Sequence, residues 1–122
     1  MGKFGSFEEI VSWQKARELN KQIYLITEAD SFKKDFDLAR QIRRCSVSIS
    51  SNIAEGYERK TDKEFVHFLY IAKGAAAEVR SQLYLALDLN YISNELFINM
   101  ITDITEISKL LSGLIKYLSK ES

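Results

Sequence analysis

The chain contains no proline, five glycines, one cysteine and one histidine among its 122 residues. Without proline, and with so little glycine, nothing in the interior enforces a break, which favours long helices. Cys45 alone forms no internal disulfide, and with His67 as the single histidine a zinc site of cysteine and histidine ligands is excluded. An excess of charge of one sign is also lacking. Seventeen basic residues balance 17 acidic ones, so no net field draws the whole molecule toward nucleic acid or an anionic membrane, and any basic site has to be local. No uncharged run approaches the roughly 18 apolar residues of a membrane span, and Glu8 and Glu9 fall where a signal peptide needs its apolar stretch. The expectation is a cytoplasmic protein with no membrane partner. There is no G-x-S-x-G elbow and no glycine-rich phosphate loop, so neither a nucleophile nor a cofactor is expected.

What is present is a composition of 46% hydrophobic and 28% charged residues, that of one globular domain over residues 1–122. Four helical segments are legible. Ser6 with Glu9 reads as a capping box, and Ile10, Trp13, Ala16, Leu19, Ile23 and Ile26 follow at spacings of three or four, predicting a first helix over 7–28. After a polar stretch, Leu38, Ile42, Cys45, Ile49 and Ile53 form a second stripe ending at Gly56 as a C-terminal cap, which predicts a helix over 35–56. Thr61 and Glu64 make a second capping box ahead of Phe65, Leu69, Ala72, Ala76, Val79, Leu83 and Ala86, a third helix over 61–90. Ser93 caps the fourth, over 93–120, whose stripe is Phe97, Met100, Ile104, Ile107, Leu111, Leu114 and Leu118. Long helices joined by short connections pack against their neighbours in opposite senses, so the expected fold is all-α, an antiparallel up-down-up-down four-helix bundle.

Candidate sites are few. Glu64 and His67 form an E-x-x-H pair, half of a ferritin-like di-iron site, but a second pair needs a second histidine, and His67 lies opposite the apolar stripe. A small helical ribonuclease of the HEPN kind positions an Arg and a His close together on one helix. Here Arg59 and His67 are separated by seven residues and by the Thr61 cap. Such a ribonuclease, or a metal-dependent enzyme, is the alternative to a non-catalytic protein. Between Phe32 and Lys60 the chain carries seven basic and four acidic residues. Arg40, Arg43 and Arg44 fall on one outer face of the second helix, with Arg59 and Lys60 after it, a spacing suited to several phosphates of RNA or DNA. No aromatic residues interleave that set, so it is expected to read backbone rather than bases. Gln41, Ser48, Asn52 and Glu55 form a polar line beside the stripe, expected to hydrogen-bond to a neighbouring helix or subunit, and Ser46, Ser50 and Ser51 add further poor helix formers to the same helix. The third helix is apolar on its back face too, through Val66, Tyr70, Ile71, Leu85 and Leu89, with Gly74 among Ala72, Ala75, Ala76 and Ala77 as a patch for close helix approach. A helix apolar on both sides requires cover on both, which predicts a homo-oligomer with this face in the interface.

The run Gln41-Ile42-Arg43-Arg44, then Ser48-Ile49 and Asn52-Ile53-Ala54-Glu55-Gly56, followed by Glu64-Phe65, Phe68-Leu69, Ile71-Ala72-Lys73-Gly74 and Glu78, resembles the four-helix-bundle family encoded in intervening sequences of bacterial 23S ribosomal RNA genes. Trp13, Ala16, Tyr24, Leu89, Tyr91 and Ile92 extend the match toward both ends. The resemblance implies a homopentamer that acts as a binding or scaffold module with an RNA or a protein partner. It also implies kinship with the accessory protein of diversity-generating retroelements, which binds nucleic acid and reverse transcriptase through a strongly basic surface that this neutral chain lacks.

Overall fold

The computed structural model describes residues 4–121. Among them every regular element is helical: a 3-10 turn at Phe7–Glu9, then α1 (Val11–Thr27), α2 (Asp30–Lys33), α3 (Phe36–Tyr57), α4 (Asp62–Asp88) and α5 (Asn94–Glu121). The four long helices form a ring in which α3 packs on α4, α4 on α5, and α1 closes against α3 and α5. Between α3 and α4, and between α1 and α3, residue numbers rise along one helix as they fall along the other. Tyr57 meets Phe65 near the α3–α4 turn while Cys45 meets Gln82 further along, and Thr27 meets Arg43 while Asn20 meets Ser50.

Local chemistry explains most of the boundaries. The Asp35 carboxylate accepts from the Leu38 N–H at 3.1 Å to start α3, Thr61 Oγ1 accepts from the Glu64 N–H at 3.1 Å to start α4, and Ser93 Oγ accepts from the Leu96 N–H at 3.1 Å at the head of α5. Each such cap is worth about 1 kcal/mol. Past the end of α4, Asn90 takes a φ of 61°, the left-handed conformation that asparagine tolerates, and lets the Tyr91 N–H turn back onto the Ala86 carbonyl at 2.9 Å. The interior is built from the expected stripes. Leu38, Ile42, Cys45, Ile49 and Ile53 of α3 are all buried, as are all seven named positions of α4.

Four features differ from the sequence expectations. Ser6 makes no side-chain cap. Glu9 accepts instead from the Gly5 N–H at 3.0 Å, a 3-10 turn occupies 7–9, and α1 begins four residues later than expected, at Val11. The polar stretch after α1 contains the short helix α2, whose Phe32 is fully buried and stacks 5.1 Å from the Tyr91 ring. Gly56 is no C-terminal cap. It lies inside α3, buried, where an added Cβ would sit 2.7 Å from Phe68 Cβ and 2.9 Å from Phe65 Cδ1. On α5 Ile115 is buried, whereas Leu114 packs only at the edge of the core.

Tyr91 also closes one end of the bundle, its hydroxyl donating to Asp35 Oδ2 at 2.9 Å. That hydrogen bond, with smaller contributions from burial and from the Asp35 charge, raises the Tyr91 phenol above its usual value near 10. Its contribution to stability is therefore full below pH 10 and is lost as pH rises through the raised folded value. Tyr91→Phe should lower the thermal midpoint at neutral pH and remove that part of the alkaline loss, as read by melting curves between about pH 8 and 11. Gly56→Ala should destabilise by about 1–3 kcal/mol through overpacking against Phe65 and Phe68, despite alanine's better helix propensity, as measured by urea unfolding.

Candidate nucleic-acid interface

The arginines expected to act together are divided by the fold. Arg43 is built into the bundle: its Nε donates to Thr27 Oγ1 at 2.7 Å, its Nη2 meets Glu28 Oε1 at 3.0 Å, and its guanidinium lies 4.6 Å from the Tyr24 ring centroid. Thr27 is itself buried, its hydroxyl donating to the Ile23 carbonyl at 2.8 Å, so Arg43 joins α3 to the end of α1. Arg40 and Arg44 flank it on the exposed side of α3 and have no ion-pair partner among the described residues. Lys33 of α2 and Phe36, the first residue of α3, complete a cleft of about 480 Å³. Four cations line it against the single carboxylate of Glu28, and Glu28 is already paired with Arg43. Contrary to the sequence expectation, aromatic rings do stand among these cations. Tyr24 is covered by Arg43, and Phe36 is 72% exposed.

Arg59 and Lys60 do not join this cleft. Sixteen residues beyond Arg43, about 24 Å along a helix, Arg59 is held by Glu55 at 3.5 Å and Glu64 at 3.6 Å and lies 4.9 Å from the Phe68 ring centroid, with Lys60 exposed in the adjoining turn. Lys63, His67 and Phe68 line a second cleft with Arg59, of about 510 Å³. His67 is exposed there with its ring 5.5 Å from Phe68, and no group of three or more metal-ligating side chains occurs among the described residues.

Within the protomer the polar line of α3 bonds along its own helix and into the turn that follows rather than to a neighbouring helix. Asn52 Nδ2 donates to the Ser48 carbonyl at 2.8 Å and to Ser48 Oγ at 2.9 Å, Gln41 reaches Cys45 Sγ at 3.6 Å, and Glu55 turns to Arg59. The cross-helix polar contact is made one position to the side. Ser46 Oγ donates to Asn20 Oδ1 at 2.7 Å and Asn20 Nδ2 donates to Ser50 Oγ at 2.9 Å. Asn20 went unrecognised in the sequence although its spacing from Ala16 and Ile23 places it on the buried stripe of α1.

On α4 the back face is open. Tyr70, Ile71, Leu85 and Leu89 are each more than 40% exposed, Tyr84 joins them, and Val66 is half-buried. Of the small residues, Ala72, Ala75 and Ala76 belong to the protomer's own core, leaving Gly74 and Ala77 outside. A Cβ added at Gly74 would meet nothing within 4 Å.

The family model described as 23S rRNA-intervening sequence protein matches residues 8–113. A crystal structure of a protein with unknown function from the S23 ribosomal protein family of Bacteroides thetaiotaomicron superposes with a TM-score of 0.81 and 33% sequence identity, covering 87% of this chain and 96% of that one. No curated protein matches.

The division of the arginines has a direct consequence for stability. Arg43→Ala should cost about 1–2 kcal/mol, chiefly for the lost hydrogen bond to Thr27, since the exposed Glu28 contributes little. Arg40→Ala and Arg44→Ala should each stay within about 0.5 kcal/mol of the parent in urea unfolding.

Proposed function

The chain belongs to the family of 23S rRNA-intervening sequence proteins, and from that premise we propose that it acts without catalysis, as a self-associating helical scaffold that holds RNA through repeated basic clefts. The observation that carries this reading is the outer face of α4, where Tyr70, Ile71, Leu85 and Leu89 are exposed around Gly74. A patch of this kind marks an association surface. Gly74 points the same way. Within α4 a glycine costs about 1 kcal/mol relative to alanine, and the open space around it means that the protomer's own packing does not require it. Close approach of a helix from a second copy supplies the missing reason. A closed ring of identical subunits buries the face without leaving an open end, and the family resemblance favours five.

Assembly also reconciles the neutral protomer with nucleic-acid binding. One cleft with Lys33, Arg40 and Arg44 offers only a few phosphate contacts, which gives weak binding. Repeating it around a ring raises the effective concentration of each further contact with no need for net charge. A catalytic reading draws no support from Arg59, whose guanidinium is engaged by Glu55 and by Glu64, the one carboxylate that lines the cleft with His67.

Two measurements test the proposal. Sedimentation at micromolar concentration should show an oligomer for the parent, and Ile71→Lys and Leu85→Lys should dissociate it while remaining helical, because an unpaired charge buried in the contact costs several kcal/mol. A monomeric parent, or assembly unchanged in both variants, contradicts it. Binding of labelled RNA should be detectable at about 50 mM salt and fall steeply as salt rises. No binding at that salt leaves a protein partner for the scaffold, and RNA turnover abolished by His67→Ala would replace the scaffold with an enzyme.

A further inference from the structure

We propose that the cleft between the end of α1, α2 and the first half of α3 is a single-strand site, in which an unpaired base stacks on Phe36 while its flanking phosphates sit on Arg40, Arg44 and Lys33. The inference rests on the nucleic-acid part of the function proposed above and adds the form of nucleic acid that the site selects.

Among the described residues Phe36 is the most exposed large apolar side chain, at 72%. Nothing inside the protomer accounts for it. The ring faces no aromatic partner among the described residues, and the core at this end is already filled by Phe32, Leu38 and Ala39. Its position is nevertheless fixed, because the Asp35 cap anchors the first turn of α3 and Tyr91 in turn holds Asp35. Phe36, Arg40 and Arg44 follow at intervals of four, so they share one face of α3 and rise by about 6 Å per step. Lys33, the last residue of α2, lines the same cleft.

The chemistry of this arrangement is the exposed ring of Phe36, with Tyr24 beside it under Arg43, next to cations that lack ion-pair partners among the described residues. The one lining carboxylate, Glu28, is neutralised by Arg43, so the field at the mouth of the cleft is set by Arg40, Arg44 and Lys33. An anion is required, and one that carries a planar group next to its charge uses the ring as well. A nucleotide meets both conditions in every residue, whereas an acidic peptide without aromatic side chains meets the first alone. The ring selects strandedness, since a base paired and stacked within a duplex offers it no free face. Phosphates of either form satisfy the arginines, so without Phe36 the cleft would not distinguish the two.

The full-length protein should be titrated by fluorescence anisotropy, at about 50 mM salt, with a labelled single-stranded oligouridylate, an RNA duplex of the same length and a polyglutamate peptide. The expected result is tighter binding of the single strand than of the duplex. Phe36→Ala should weaken the single strand by about five-fold or more, the low end of what losing one base-aromatic stack produces, and leave the duplex unchanged. Phe36→Trp should restore the affinity and report stacking by fluorescence quenching beyond that of the parent's Trp13. Removing Arg40 and Arg44 together should make the dependence of log affinity on log salt shallower by about 1.4. Because Phe36 is outside the core, its variants should melt and sediment as the parent does, which keeps the comparison clean. Single-strand binding that is indifferent to Phe36, duplex binding as tight as single-strand binding, or Phe36-dependent binding of polyglutamate would each overturn the site while leaving the scaffold intact. Failure of every nucleic acid to bind would remove the RNA reading itself.

Discussion

At Gly56 the backbone of α3 approaches α4 so closely that a single added carbon would fall 2.7 Å from Phe68 Cβ. Much of the layout depends on this contact. It draws Phe65 beneath Tyr57, with ring centroids 6.0 Å apart, and brings the turn that follows within reach of Glu64, so that Arg59 is gripped by carboxylates on both sides of the turn. It also fixes the relative rotation of the two helices. With that rotation set, Ile42, Cys45, Ile49 and Ile53 face the stripe of Phe65, Leu69, Ala72 and Val79, and what remains of α4 is turned outward.

The other side of α3 is tied by polar groups rather than by close backbone approach. Asn20 bridges Ser46 and Ser50, and Arg43 reaches Thr27 and Glu28 one or two turns away. Serines are poor helix formers, and their concentration in α3 makes sense once Asn20 is opposite them, because small hydroxyl side chains admit an amide between two helices, Ser50 accepting from its nitrogen and Ser46 donating to its oxygen. An interface of this type discriminates among packings more sharply than an apolar one, since every misaligned register leaves a buried amide or hydroxyl without a partner, at about 1–3 kcal/mol each.

Two surfaces among the described residues stand out when these internal demands have been met. One is the α4 face around Gly74, apolar and open, and the other is the cleft where Phe36 stands beside Arg40 and Arg44. They lie on different helices and make different chemical demands, the first for another apolar surface and the second for an anion with a planar group. A scaffold that assembles through one and binds through the other has a physical use for both, and neither is explained by the stability of a single protomer.

The sequence by itself determined that this protein is a bundle of long helices, because helical period and capping are local properties. The stripe of α4 and the caps at Thr61 and Ser93 depend only on residues three or four positions apart, and they were legible for that reason. The two-faced character of α4 was legible on the same grounds. Periodicity, however, states which residues share a face and not which face meets which neighbour. Gly56, one residue before the end of α3, therefore read as a cap when it is a point of contact, and the polar stretch holding Phe32 read as a connection when it plugs the core. Five basic residues on or just past one helix likewise read as one patch. Tertiary structure alone decided that Arg43 is a tether, that Glu64 joins Glu55 on Arg59, and that Lys33 joins Arg40 and Arg44, since each is set by what other helices bring within a few ångströms, whereas Phe36, four residues before Arg40, shares its face by helical period alone.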